Sequence, residues 1–278
     1  MRNYTRFLRR LRRNRGAVLG SVIVACFLLM ALAAPWIAPH DPLEPNAAVR
    51  LQPPNPRHLM GTDELGRDIL SRVMFGARVS LTVGLISVGI SCVFGTVLGL
   101  VAGFIPSLDS LIMRLVDVML AFPGMLLAIA IVAMLGPGLY NAMIAVGIFG
   151  IPDYVRVVRG CVLSVKENQY VEAARSLGLP TPVVLYRHVL PNVFAPIIVL
   201  VTFGIASAIL WAAGLSFLGL GAQPPFPEWG LMLSQGRHWI LRAWWVATFP
   251  GLAITLVILG FNLLGDGLRD ALDPRLKQ

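Results

Sequence analysis

The residues best placed to do chemistry lie between two long apolar runs. Glu172-Ala173-Ala174, Gly178 and Leu190-Pro191 sit in a polar stretch with Arg156, Arg159, Lys166, Arg175, Arg187, Glu167 and His188. Lys166 to Leu177 favours helix, with Ala173 and Ala174 at its heart. Gly178 suits a left-handed C-cap, Thr181 an N-cap and Pro182 the first position of a second helix. Pro191 is expected to stop that second helix before the next span. The product is a helix–turn–helix at a membrane surface. Its small residues let a partner approach the backbone, and its glycine corner and proline stop fix an angle. Such an element does mechanical work: it passes a partner's rigid-body motion to the spans beside it. An ordinary amphipathic connector also satisfies the pattern. Bond-making chemistry has no foothold elsewhere. The sequence holds no G-x-x-x-x-G-K-[ST] phosphate cradle, no H-E-x-x-H or paired-Cys zinc pattern and no nucleophile elbow. No catalytic, cofactor or metal residues are expected.

The elements that carry this stretch are transmembrane. The chain of 278 residues is 56% hydrophobic and 13% charged, where a soluble domain carries about 25% charge. Its mean hydropathy is +0.75. Six segments approach the ~20 apolar residues a span needs: Ala17–Ala38, Val79–Phe104, Leu111–Leu135, Leu139–Val158, Val193–Leu220 and Val246–Leu264. The fold class is therefore all-α integral membrane protein with six transmembrane helices and both termini on one side. With the N-terminus inside, sixteen of the 23 Lys and Arg face the cytoplasm, which places both termini there. Arg2, Arg6, Arg9, Arg10, Arg12, Arg13 and Arg15 precede the first span with no acid among them. They read as an anchor beside anionic lipid, so the net charge of +9 does not call for nucleic acid. Cys26, Cys92 and Cys161 show neither pairing nor metal spacing.

Two outer segments are long. Pro39 to Arg78 starts proline-rich and ends with Asp63 as a possible helix cap and Asp63/Arg67 and Asp68/Arg72 as i,i+4 pairs. Gly221 to Trp245 carries Trp229, Trp239, Trp244 and Trp245, read chiefly as an interfacial belt. Gly95, Gly99 and Gly103 mark a close-packing face of the second span. Pro123, Pro152, Pro196 and Pro250 are candidate kinks. Arg114, Asp117, Asp153 and Asp266 lie near inner span ends, with Arg114 and Asp117 expected to pair.

The loop spacing resembles that of ABC importer permeases: Glu-Ala-Ala, three residues, Gly, nine residues, Ile, one residue, Leu-Pro. His188 stands where that pattern has isoleucine. Gly61-Thr62-Asp63-Glu64-Leu65-Gly66-Arg67-Asp68 resembles the pre-span segment of dipeptide and oligopeptide permeases of the DppC/OppC kind. Leu215 to Gly221 with Pro224-Pro225 and Glu228-Trp229-Gly230 is similar to the same subfamily, as is Asn262 to Asp270 with Asp273-Pro274-Arg275. The resemblance covers essentially the whole chain. It implies a type I ABC importer permease fold in a bacterial plasma (inner) membrane. It also implies a second homologous permease subunit, two ATPase subunits and an extracytoplasmic substrate-binding protein, with ATP and magnesium bound on the ATPases. Glu172, Ala173, Ala174, Gly178, Leu190 and Pro191 would form the ATPase-coupling loop. The implied domains are 1–75 (basic N-terminus, first span, outer loop), 76–269 (transport core with coupling loop 156–191) and 270–278 (tail). The implied cargo is di- or oligopeptides, with nickel complexes, glutathione or another small solute as the alternative. An ion-coupled secondary transporter is a more distant reading, lacking visible repeats or midplane ionic sites.

Overall fold

The computed structural model describes residues 14–272, with no β-strand among them. The expected basic cluster Arg2 to Arg13 and the Asp273-Pro274-Arg275 ending lie outside the described residues. Ten α-helices follow in order: α1 (Arg15–Ile37), α2 (Ile69–Phe104), α3 (Pro106–Ala121), α4 (Gly124–Leu135), α5 (Leu139–Lys166), α6 (Gln169–Ser176), α7 (Thr181–Val184), α8 (Leu190–Phe217), α9 (Trp229–Gly236) and α10 (Trp245–Leu272). Five long apolar helical stretches can each cross a membrane, the fourth running unbroken from Thr181 to Phe217.

The expected third span departs from a straight helix. α3 and α4 meet at 95° around Phe122-Pro123. Pro123 supplies no N–H and its ring excludes the preceding turn, so the helix breaks there. The pair nevertheless returns the chain across the layer, because α2 and α5 run parallel. Ser87 Oγ donates to the Met143 carbonyl at 3.0 Å and Ser91 Oγ to the Gly147 carbonyl at 2.7 Å. Further along, Gly99 abuts Val158 and Gly103 abuts Val162. Both numbers rise together, so the segment between the two helices must traverse back. α3 is antiparallel to α5 and is tied to it by two ion pairs, Asp109–Arg159 (2.5 Å) and Asp117–Arg156 (2.8 Å). Asp117 thus pairs across helices with Arg156, where the sequence predicts Arg114 on its own helix; the facing helix brings an equivalent guanidinium to it, which a local i,i+3 offset does not reveal.

The α2–α5 contact is the most extensive helix–helix seam among the described residues. The predicted glycine face delivers it: a β-carbon on Gly95, Gly99 or Gly103 would drive into Tyr154, Val158 or Val162. Small residues let the two backbones approach and gain dispersion contacts that lipid cannot offer. α1 lies antiparallel on α10, with Gly20 against the backbone of Gly260 and Leu264. Asn14 Nδ2 donates to Asp270 Oδ2 at 3.0 Å, which puts the two described ends of the chain on the same side.

At the opposite side the outer segments fold into a cap. α2 begins ten residues earlier than expected, at Ile69, and spans about 54 Å at 1.5 Å per residue, well beyond a ~30 Å hydrocarbon core. Its cap is Asp68, whose carboxylate accepts from Ser71 N, and not Asp63. Asp63 instead organises the preceding turn, accepting from Leu65 N and Arg67 N at 2.9 Å each. Asp63 also holds Arg67 at 2.7 Å, the predicted pair. The second predicted pair does not form: Arg72 reaches back to Asp63 and to the Pro42 carbonyl. The tryptophans correct the belt reading in part. Trp229 is fully buried and donates to the Val73 carbonyl; Trp245 is buried and donates to the Thr62 carbonyl. These indoles lock the two outer segments together. Trp244 is exposed, and Trp239 stacks under Arg50.

Candidate functional site

The candidate site lies on the side where Asn14 meets Asp270. The polar stretch is shorter than the sequence suggests: Arg156 to Lys166 continues α5 as helix. Lys166 Nζ caps the end of α2 by donating to the Gly103 carbonyl. The chain then turns through Glu167-Asn168 into α6, where Val171 N and Glu172 N donate to the Asn168 carbonyl.

α6 is amphipathic. Val171 and Ala174 point down into a cluster of Phe104, Val158, Val162, Val184, Val189, Val193 and Ile197. Glu172 and Ala173 face outward. The Glu-Ala-Ala triplet is therefore split, with two residues presented and one used as an anchor. Gly178 takes φ +76°, the left-handed corner predicted from sequence, and nothing lies within 4 Å of the place a β-carbon would occupy. Leu179 N bonds back to the Ala174 carbonyl, closing the helix end across the glycine.

The second helix differs from expectation at both ends. Pro180 is the cap, and Thr181 is already helical. Pro191 does not stop the helix. A single π-turn at Leu185–Val189 precedes it, in which Leu190 N donates to the Leu185 carbonyl five residues back, and α8 continues directly. The wider turn gives the proline ring room and hands the α6–α7 corner to α8 without a joint. Leu190 is half-buried and Pro191 exposed. A brace invisible in the motif joins the two halves: Asn192 Nδ2 donates to Tyr170 Oη at 3.1 Å and to the His188 carbonyl at 2.8 Å. Its only sequence signal is a polar residue at the start of an apolar span.

The result is a tip braced on the ends of α5 and α8. Large apolar side chains stand exposed on it, notably Leu177 (82%) and Tyr186 (76%), beside Tyr170, Leu179 and Val183. Surfaces of this kind mark protein contact sites.

Between α2, α5 and α8 a cavity of about 310 Å³ is lined by Ser87, Ser91, Phe149, Asp153, Tyr154 and Trp211, among others. Asp153 borders it without an ion pair among the described residues, in contrast to Asp109 and Asp117.

Fold and site together define a multi-pass helical membrane protein with an exposed, partly apolar tip on the side where the two described chain ends meet. The comparisons with known proteins make this specific. Residues 95–278 match the family described as binding-protein-dependent transport system inner membrane component, and the chain belongs to that family. Residues 4–54 match the N-terminal TM domain of oligopeptide transport permease C. The chain is 53% identical over 271 residues to the di/tripeptide transport system permease protein DppC of Pseudomonas aeruginosa, covering 95% of this chain and 89% of that one. It is 48% identical over 273 residues to the glutathione transport system permease protein GsiD of Pectobacterium atrosepticum, covering 98% and 91%. In fold it is similar to a chain of the MetNI methionine ABC transporter in an inward-facing form. That match has a TM-score of 0.60 at 16% identity and covers 74% of this chain and 98% of that one. The chain is thus a multi-pass inner-membrane permease component of an ABC-type import system.

Proposed function

We propose that this chain carries di- or oligopeptides across the membrane as one half of a heterodimeric pore. Its α6–α7 tip would seat in an ATPase subunit, and an extracytoplasmic binding protein would deliver cargo to the outer cap. ATP and magnesium belong to the partner ATPases. In this reading residues 76–269 are the transport core and 1–75 an added N-terminal unit. Glu172, Ala173 and Gly178 form the contact, Ala174 anchors it, and Leu190-Pro191 transmit it.

The observation that carries the proposal is the absence of slack. α6 is fastened to α5 and α8 through one apolar cluster, and α7 passes into α8 without a break. A push on the tip must then tilt two spans that border the cavity. ATP binding would draw two such tips together and open the cavity outward; hydrolysis would reset it inward. Peptide cargo rests on the similarity to the di/tripeptide permease. The similarity to the glutathione permease keeps glutathione, itself a small peptide, as the second reading.

The test is uptake of a labelled dipeptide and of labelled glutathione in cells that depend on this chain. The proposal expects dipeptide uptake that stops in Gly178→Pro although the protein still reaches the membrane. Glutathione uptake without dipeptide uptake would transfer the assignment to the second reading.

A further inference from the structure

Two imidazoles and a carboxylate converge at the outer end of α2, far from the α6–α7 tip. His58 Nδ1 lies 3.0 Å from Asp68 Oδ1, and His40 Nδ1 lies 3.7 Å from the same oxygen. All three ligating atoms fall within 4.8 Å of one another. The rings face each other with centroids 4.6 Å apart.

We propose that His40, His58 and Asp68 bind a divalent first-row transition metal, zinc above all, and that the ion staples the proline-rich strap to the start of α2. Bond lengths of about 2.0–2.1 Å at a tetrahedral centre place ligand atoms roughly 3.3 Å apart, and the two measured separations bracket that figure. Two imidazole nitrogens and one carboxylate oxygen suit zinc over magnesium or calcium, which want oxygen alone. The supports are fixed in the manner of a metal site's outer shell. Asp68 Oδ2 accepts from both Ser71 N and Ser71 Oγ at 2.8 Å, which leaves Oδ1 free for the ion. His40 N donates to the same Ser71 Oγ. His58 sits in a turn closed by Asn55 N and Gly61 N on its carbonyl. The nearby cations do not compete, because Arg67 and Arg72 are turned to Asp63. His40 is the exposed member, its side chain 42% accessible, so it can swing the last few tenths of an ångström and leave a fourth position open to water. A hydrogen-bonded Asp68–His58 pair alone would not call for a second imidazole on the same oxygen.

The experiment uses the full chain purified in detergent with a histidine-free tag. It is equilibrated with zinc chloride, freed of unbound metal and assayed for zinc by mass spectrometry. Cobalt(II) chloride in a parallel sample gives the coordination type by absorbance. The expected result is one zinc per chain and visible cobalt bands of a tetrahedral nitrogen–oxygen site. His40→Ala should cut binding at least tenfold with unchanged elution and helicity, since the His40 side chain is exposed and its backbone bond to Ser71 is kept. Asp68→Asn should also bind less, but it weakens the α2 cap, so His40→Ala is the deciding variant. Equal zinc in wild type and His40→Ala, no zinc in wild type, or a thiolate-to-cobalt band implicating the cysteines would each overturn the proposal.

Discussion

Gly99→Ala isolates the seam between α2 and α5, the helix that leads into the tip. A β-carbon at Gly99 would sit 2.7 Å from Val158 Cβ and 2.9 Å from both Val155 O and Val158 Cγ1. Relaxed carbon contacts lie near 3.5 Å or more, so α2 and α5 must part by about 0.8 Å. Overpacking of this kind costs about 1–3 kcal/mol. Separation also stretches the Ser91-to-Gly147 and Ser87-to-Met143 bonds, each worth about 0.6 kcal/mol in a membrane. Alanine's better helix propensity returns about 1 kcal/mol, for a net loss of roughly 1–3 kcal/mol. Gly160→Ala on α5 is the control. It has nothing within 4 Å, so only the propensity gain of about 1 kcal/mol remains. The same chemical change should thus shift stability in opposite directions at two glycines. Thermal unfolding of the detergent-purified chain reads this, at about 2–4 °C per kcal/mol for a chain of this size. Equal shifts for the two variants would refute the close-packing argument.

Other outcomes follow from the same structure. Gly178→Ala meets no steric obstacle but forces an L-residue to φ +76°, a backbone penalty of about 1–2 kcal/mol; tip mobility by hydrogen exchange should rise while the spans stay protected. Asn192→Ala removes the Tyr170 brace and the bond to the His188 carbonyl, and should raise exchange on α6 and the π-turn while the body of α8 stays protected. Trp229→Phe deletes the bond to the Val73 carbonyl and part of a fully buried ring, and should lower stability by about 1–3 kcal/mol in thermal unfolding. Glu228 caps α9 through Gly230 N and Leu231 N, and burial pushes its carboxyl above the ordinary value of 4.5. Its ionised form is the disfavoured one in the fold, so wild-type stability should fall as pH rises from about 4.5 towards the raised value, whereas Glu228→Gln should be flat across that window.

The spans were legible because apolar length and arginine placement are composition-level signals, and the glycine repeat at 95, 99 and 103 names its own packing face. The Gly178 corner was legible for a similar reason: glycine between a helix-favouring stretch and Thr181-Pro182 has one natural use. Pro191 misled because a proline's effect depends on the turn before it, and a π-turn is set by tertiary packing of Val184 and Val189. Asp117 and Arg72 misled because local i,i+3 and i,i+4 offsets say nothing of partners on a facing helix or strap. Trp229 and Trp245 took core positions because each indole N–H finds a backbone carbonyl more than 150 residues away, a pairing that no local window contains.

The most direct test of the central claim is co-purification from gently solubilised membranes. Native chain, Glu172→Lys, Gly178→Pro and the neutral control Gly160→Ala would be captured and their partners identified. The account predicts that native and Gly160→Ala chains bring down an ATP-hydrolysing subunit and a second permease, while the two tip variants keep the permease and lose the ATPase. Tip variants that retain the ATPase, or a native chain that purifies alone and transports without ATP, would contradict it.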